Sequence, residues 1–217
     1  MILVPVKNLE CSKQRLSPAL SPQQRRQLAE AMLEDVLDAL GQCSERNAVA
    51  VVTGDPQAQR LAQTRGLAVI PDPANPGETG AIAMATDYCR SHGAGYTLVI
   101  PGDIPLIQTG EVEAIFAAAP REGALLVPSA SGRGTNAAFR RPADLFPLRF
   151  GNDSFKPHLA AAQSTGKEVK VLQLSGIGLD VDEPADLADL LQALGATRAQ
   201  QLVRQWGPTE RWSVAHV

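Results

Sequence analysis

Short β-rich apolar runs alternate with stretches of helical periodicity along most of this 217-residue chain, and that alternation constrains the fold more than any other property. Strand–helix–strand repetition sets successive strands parallel and covers the sheet with helices, which predicts a single α/β domain with a mostly parallel sheet. Residues 2–6, 48–53, 67–70, 96–100, 124–128, 136–140 and 169–174 read as strands. Ser21-Pro22-Gln23-Gln24 has the form of a capping box, and Leu28, Met32, Leu33, Val36, Leu37 and Leu40 then recur at helical spacing. Gly54-Asp55-Pro56 opens a short helix, and the Pro-rich loop 71–77 leads into a helix ending near Ser91. Further helices are expected over 110–119 and 155–162, and from the acids after Leu179 through Leu194. Residues 1–195 form the expected domain. The tail 196–217, with Trp206 and Trp212, is expected to be a helix plus an extended arm, packed on the domain or at a homodimer contact.

The net charge of −3 gives no support for a nucleic-acid partner. No apolar run is long enough to span a bilayer. The N-terminus goes straight into strand-like Ile2-Leu3-Val4-Pro5-Val6, unlike a signal peptide with a basic leader. Cys11, Cys43 and Cys89 are widely spaced and make no C-x-x-C pair, which predicts free thiols in a reducing compartment and a cytoplasmic location.

Three acids stand where such a sheet would deliver them. The run ending at Ile100 stops at Pro101-Gly102, and Asp103 follows at once. Open α/β sheets bind their ligands at the carboxyl ends of their strands. Asp180 and Asp182 follow the same logic in Leu179-Asp180-Val181-Asp182, where an i, i+2 spacing on a strand aims both side chains one way. With no Cys or His set nearby, three converging carboxylates suit a hard divalent cation, Mg²⁺, and hence phosphate chemistry. Asp182 before Glu183-Pro184 also reads as a plain helix cap.

Lys7, Lys13 and Arg15 follow the first strand, at the usual place for a phosphate cradle. No G-x-x-x-x-G-K-[ST] or G-x-G-x-x-G is present, so neither a P-loop nor a dinucleotide fingerprint supports the reading. A second cradle is expected where Gly132 and Gly134 flank Arg133 before Thr135-Asn136, since successive N–H groups there could form an anion nest. Gly151, with Ser154 as an N-cap and His158 one turn along, marks a helix N-terminus suited to a phosphate or carboxylate. The alternatives are a tight turn, a simply capped helix and a structural histidine.

These blocks resemble the guanylyltransferases of coenzyme F-420 biosynthesis, the phosphoenolpyruvate and 2-phospho-L-lactate guanylyltransferases. The resemblance is carried by Val4-Pro5-Val6-Lys7, Ser12-Lys13-Gln14-Arg15-Leu16-Ser17, Gly102-Asp103-Ile104-Pro105-Leu106, Gly134-Thr135-Asn136-Ala137, Phe150-Gly151 with Ser154 and His158, and Leu179 through Leu187. It implies a nucleotidyltransferase-type, Rossmann-like α/β fold related to glycosyltransferase-A domains. It also implies Mg²⁺ on Asp103, Asp180 and Asp182, with Asp103, Lys13 and Arg15 as the catalytic set. A phosphorylated acid would lie against Thr135, Gly151, Ser154 and His158, and GTP against Lys7, Lys13, Arg15, Gly80 and Gly102. Residues 75–81 depart from the Gly-Leu-Asn-like stretch of many relatives. The implied reaction joins GMP from GTP to a three-carbon phospho-acid, phosphoenolpyruvate first, with 3-phosphoglycerate or 2-phospho-L-lactate as alternatives. A downstream phospho-acid transferase would receive the product. The rival readings are another Mg²⁺-dependent nucleotidyltransferase, for a nucleotide-sugar or a molybdenum cofactor, and a non-catalytic nucleotide-binding module.

Overall fold

A computed structural model of the chain describes residues 1–74, 77–151 and 153–207. Seven strands form one sheet: β1 (Ile2–Val6), β2 (Val49–Thr53), β3 (Ala68–Pro71), β4 (Thr97–Val99), β5 (Gly123–Pro128), β6 (Thr135–Arg141) and β7 (Glu168–Val171). Their spatial order is β3-β2-β1-β4-β6-β5-β7. Every pairing is parallel except the two made by β6, which runs against both β4 and β5. The central strands carry Val, Ile, Leu and Ala on both faces because helices cover both, and β2 and β5 are buried along their whole length.

The helices are α1 (Pro22–Gly41), α2 (Pro56–Gln63), α3 (Glu78–Ser91), α4 (Thr109–Ala118), α5 (Phe155–Ser164), the single turn α6 (Ser175–Gly178), α7 (Pro184–Gln192) and α8 (Arg198–Gln205). The capping box expected at Ser21 and Gln24 opens α1. One core packs Ile2, Val4, Val51 and Leu98 under Leu33, Leu37 and Leu40 of α1. The other face packs Leu3, Val52 and Val99 against Ile82 and Ala85 of α3. A third cluster joins Leu28 and Met32 of α1 to Leu187 and Leu190 of α7 and Ala199 and Val203 of α8. Asp35 accepts the N–H groups of Arg198 and Ala199 at 3.0 and 2.9 Å, which seats the start of α8 on α1. Trp206 packs against this cluster, while Trp212 and the expected arm lie outside the described residues.

The segment before α7 departs from expectation in two ways. Residues 179–182 form no strand; Leu179 is extended and Val181 donates one backbone hydrogen bond to Asp103 O at 3.2 Å. The helix after them is capped by Glu183, not Asp182, with the Asp186 carboxylate accepting from Asp182 N and Glu183 N at 2.8 and 2.7 Å. The capping work therefore falls on Glu183 and Asp186, and Asp182 keeps its carboxylate for other partners. No helix among the described residues is long and apolar enough to cross a membrane. All three cysteines are free, Cys43 and Cys89 buried and Cys11 exposed.

Candidate active site

The strand order reverses direction between β1 and β4, and the site lies at that switch point, where adjacent loops diverge and leave a crevice. The ends of β1 and β4 and the start of β6 open onto a cavity of about 1150 Å³. Because β6 is antiparallel, its first residues, Thr135 and Asn136, come to the edge that carries the carboxyl ends of β1 and β4. Lys7, Lys13, Arg15, Gly102, Asp103, Thr135, Gly151, Ser154, Asp180 and Asp182 all line this cavity.

The loop after β1 is fixed from several sides. Asp55 caps α2 through Oδ1, while its Oδ2 accepts the Leu9 N–H at 3.0 Å. Leu16 is fully buried in the third cluster, and Arg25 bonds Leu20 O and Gln14. Between these anchors Lys13 takes a left-handed backbone conformation, φ 54°, which costs a non-glycine residue on the order of 1 kcal/mol. That conformation turns its side chain inward. The ammonium donates to Asp103 Oδ2 at 2.6 Å and to Asp182 Oδ1 at 2.8 Å, and the side chain is only 7% exposed. Arg15 stands on the outer side, its guanidinium 3.8 Å from Asp182 Oδ2.

Asp180 is held by a different set of contacts. Glu111 accepts the N–H groups of Gly176 and Ile177 and so pins α6. A Cβ at Gly176 would stand 2.3 Å from Leu106 O, so only glycine fits this close approach. The Asn136 amide then donates to Ile177 O, Gly178 O and the Asp180 carboxylate, at 2.9, 3.1 and 3.1 Å. Burial pushes the Asp180 carboxyl up from the usual range, with Asp103 and Asp182 adding to it. For Asp182 burial acts upward too, but the Lys13 ammonium, with Arg15 and Lys7 beyond, holds it below the usual range. Burial depresses Lys13 in turn, and the two carboxylates more than reverse this, so it stays protonated.

The wall opposite is built around Thr135. Its N–H donates to Ser154 Oγ at 3.1 Å, so the Ser154 hydroxyl makes no cap bond to α5. His158 is not a lining residue. It is 1% exposed and stands behind Thr135, with Nδ1 2.9 Å from Thr135 Oγ1 and Nε2 accepting the Arg149 N–H at 2.8 Å. Nε2 is therefore the unprotonated nitrogen, Nδ1 donates to Thr135, and the Thr135 hydroxyl proton is left to donate elsewhere. Burial and the nearby Arg140 pull this imidazole down to about 4, so it is neutral at physiological pH. Gly80 is also displaced from its expected place, because it lies within the first turn of α3 while Gly77, Glu78 and Thr79 face the cavity.

The expected anion nest over 132–134 is not formed. Gly132 N donates to Ser129 O, Arg133 N to Ser131 Oγ and Gly134 N to Ser129 Oγ, so those amides close the β5–β6 hairpin. Asn152, which follows Gly151, and Asn75 and Pro76 lie outside the described residues.

Glu78, the first residue of α3, was not among the sequence candidates. It lines the cavity, and burial together with Asp103 pushes its carboxyl up to about 7, against the opposing pull of Lys7 and Lys13. Its sequence signal is a lone acid within 75–81, the segment that also holds Gly80. Among the described residues, the cavity carries four cationic side chains (Lys7, Lys13, Arg15, Arg133) and seven acids (Glu78, Asp103, Asp180, Asp182, Glu183, Asp186, Asp189). A polyanionic ligand thus meets an excess of carboxylates that only added positive charge offsets. No group of three or more His, Cys, Asp or Glu among the described residues is arranged as it stands to hold a metal ion, and the Lys13 ammonium bridges Asp103 and Asp182. The donors are nonetheless all carboxylate oxygens, and two of them already share one cation. That chemistry fits a hard divalent ion.

A family model described as "Guanylyl transferase CofC like" matches residues 1–213. A protein named phosphoenolpyruvate guanylyltransferase, from Sphaerobacter thermophilus, is 36% identical, over 87% of this chain and 90% of its own length. One named 2-phospho-L-lactate guanylyltransferase, from Methanothermobacter thermautotrophicus, is 33% identical, over 94% and 89%. Among solved structures, a chain from Desulfovibrio desulfuricans G20 superposes with TM-score 0.74 at 19% identity, over 94% of this chain and 93% of its own. A CMP:2-keto-3-deoxy-manno-octonic acid synthetase complexed with CTP gives 0.61 at 14%, over 95% and 99%. At these identities the two structures bear on the fold alone, an α/β fold shared over nearly the whole chain.

Proposed function

This chain belongs to the guanylyl transferase CofC-like family, and from that premise we propose that it transfers GMP from GTP to a phosphorylated three-carbon acid in coenzyme F-420 biosynthesis. A phosphate oxygen of the acid attacks the α-phosphorus, the bond to the β-phosphate breaks, and pyrophosphate leaves. The attacking oxygen is already an anion, so no strong general base is needed, and positioning with charge neutralisation supplies the catalysis. The observation that carries this reading is the meeting, in one cavity, of the Lys7–Arg15 loop with Asp103 on one side and the Thr135–Ser154 wall on the other. Its volume exceeds that of an ordinary single-ligand pocket, which suits two reactants side by side.

In this reading Lys7, Lys13 and Arg15 bind the triphosphate. Thr135 donates its free hydroxyl proton to the acid, and Gly151 leaves the wall open beside it. Asp103, Asp182 and Asp180 would hold a divalent cation, Mg²⁺. When bound, that cation would offset the charge that develops on the phosphates. Phosphoenolpyruvate is the acceptor favoured, in keeping with the names of several relatives. A pyrophosphate-release screen that pairs each nucleoside triphosphate with phosphoenolpyruvate, 3-phosphoglycerate and 2-phospho-L-lactate tests all of this. Release that requires both GTP and one of these acids is expected. Release with another triphosphate in preference to GTP, or none with any acid, would overturn the reading.

A further inference from the structure

The ammonium of Lys13 lies 2.6 Å from Asp103 Oδ2 and 2.8 Å from Asp182 Oδ1, inside the carboxylate group, and its side chain is almost wholly enclosed. We infer that Lys13 and a divalent cation compete for these two carboxylates, so that Lys13 keeps the cation seat closed until an anionic ligand takes over its ammonium. This deepens the reading above, because it rests on Asp103 and Asp182 serving as cation ligands.

Three observations carry it. First, two cations on the same pair of carboxylates repel each other at close range. A divalent ion binds carboxylate oxygen at about 2.1 Å and would place its charge directly against an ammonium bonded to that oxygen. Second, the enclosed ammonium would be costly to leave without a partner, so it departs only toward another anion. Arg15 is already beside Asp182, at 3.8 Å, and adds a positive charge rather than a new acceptor. The phosphates of an incoming nucleotide are the acceptors the site would receive. Third, the side chain can move without its backbone. The left-handed conformation at residue 13 is held by neighbours, through Leu16 N to Lys13 O at 3.0 Å and through the Leu9–Asp55 bond. Four rotatable carbons separate that fixed backbone from the ammonium. Cation and nucleotide are thereby linked: the protein alone takes up the metal weakly, and the ligand that removes the ammonium opens the seat.

The test is Mn²⁺ binding to the full chain without nucleotide, followed by the electron paramagnetic resonance signal of the free ion. Wild type, Lys13→Met and Lys7→Met are compared. Lys7 also lines the cavity but is exposed and bonds neither carboxylate, so its variant reports the loss of one nearby positive charge without the bridge. Lys13→Met is expected to bind Mn²⁺ about tenfold or more tightly than wild type, and Lys7→Met within about threefold of it. Equal or weaker binding by Lys13→Met, or an equal gain in Lys7→Met, overturns the inference. If Lys13→Met is unfolded without metal, thermal unfolding decides. Recovery of the fold by Mn²⁺, at concentrations that leave wild type unchanged, supports exchange of one cation for the other, and failure to recover overturns it. Neither GTP nor an acid enters this experiment, so its failure is distinct from failure of the guanylyl-transfer reading, which the pyrophosphate screen decides.

Discussion

His158 Nδ1 donates to Thr135 Oγ1 across 2.9 Å while its Nε2 accepts the Arg149 N–H, so one neutral imidazole orients the hydroxyl that faces the cavity. His158→Ala leaves that hydroxyl free to rotate and a buried N–H unpaired. A stability loss of about 2–4 kcal/mol is expected, together with a rise in KM for the acid that exceeds the fall in kcat. The pH dependence has a definite sign. The folded imidazole is held down to about 4, below its ordinary value of 6.5. The unfolded chain therefore binds a proton first as pH falls, so this contribution is complete above 6.5 and is lost progressively toward 4. The stability gap between wild type and His158→Gln, measured by urea unfolding, should be wider at pH 7.5 than at pH 5. A gap independent of pH would mean that the imidazole is not held neutral.

Glu78 has the opposite sign. Its folded carboxyl sits at about 7, above the ordinary 4.5, so the unfolded chain releases its proton first as pH rises. Wild type is therefore penalised above pH 4.5, fully so once past 7. Glu78→Gln removes the penalty. In EDTA it should be more stable than wild type by about 1–2 kcal/mol at pH 8 and nearly equal to it at pH 4.5. Equal melting temperatures of the two proteins at pH 8 would count against a carboxyl partly buried within the field of Asp103.

Asp180 separates stability from function. Its carboxylate is half-buried beside Asp103 and Asp182, with the Asn136 amide as its hydrogen-bond donor. Asp180→Asn keeps an acceptor oxygen for Asn136 and removes one of three crowded charges. Unfolding in EDTA should show unchanged or slightly raised stability. If Asp180 is a cation ligand, the same variant loses guanylyl transfer by about 10²–10³-fold. Activity within about threefold of wild type would remove Asp180 from the proposed ligand set.

The legibility of the site in sequence followed the locality of each signal. Asp103 was readable because an apolar run ends at Pro101-Gly102 and the acid is next in line; its placement needs only one strand and one turn. Asp182 was readable as an acid but not as a partner of Lys13, since their meeting depends on a left-handed residue and on contacts 169 positions apart. The antiparallel course of β6 was within reach of the sequence. Residues 129–134, between the β5 and β6 runs, are too few for a parallel crossover and include Gly132 at φ 70°. His158 was correctly seen on one helix with Ser154, but nothing local reveals that Thr135 stands between it and the cavity. Segment 179–182 looked like a strand because apolar Leu179 and Val181 alternate with Asp180 and Asp182; whether such a segment pairs depends on a neighbouring strand with free backbone groups, a property of the sheet as a whole. Glu78 was overlooked because an acid in the first turn of a helix is ordinary.

Asp55 offers the sharpest separation of fold from function, because its two oxygens serve different elements. Oδ1 accepts from Gln57 N and Ala58 N and caps α2, while Oδ2 accepts from Leu9 N and anchors the loop that carries Lys7, Lys13 and Arg15. Asp55→Ser keeps a cap, since a hydroxyl performs that role about as well as a carboxylate, but one short oxygen cannot also reach Leu9. Asp55→Ala loses both bonds. The serine variant should therefore unfold within about 0.5 kcal/mol of wild type, and the alanine variant about 1–2 kcal/mol below it. Both should show a several-fold rise in KM for GTP, because the loop that positions the cations is released in each. Paired unfolding and steady-state measurements check this. If the serine variant keeps wild-type KM, the Leu9 bond is incidental to the loop; if KM follows stability in both variants, the cap alone explains the effect and Asp55 does not link the helix to the site.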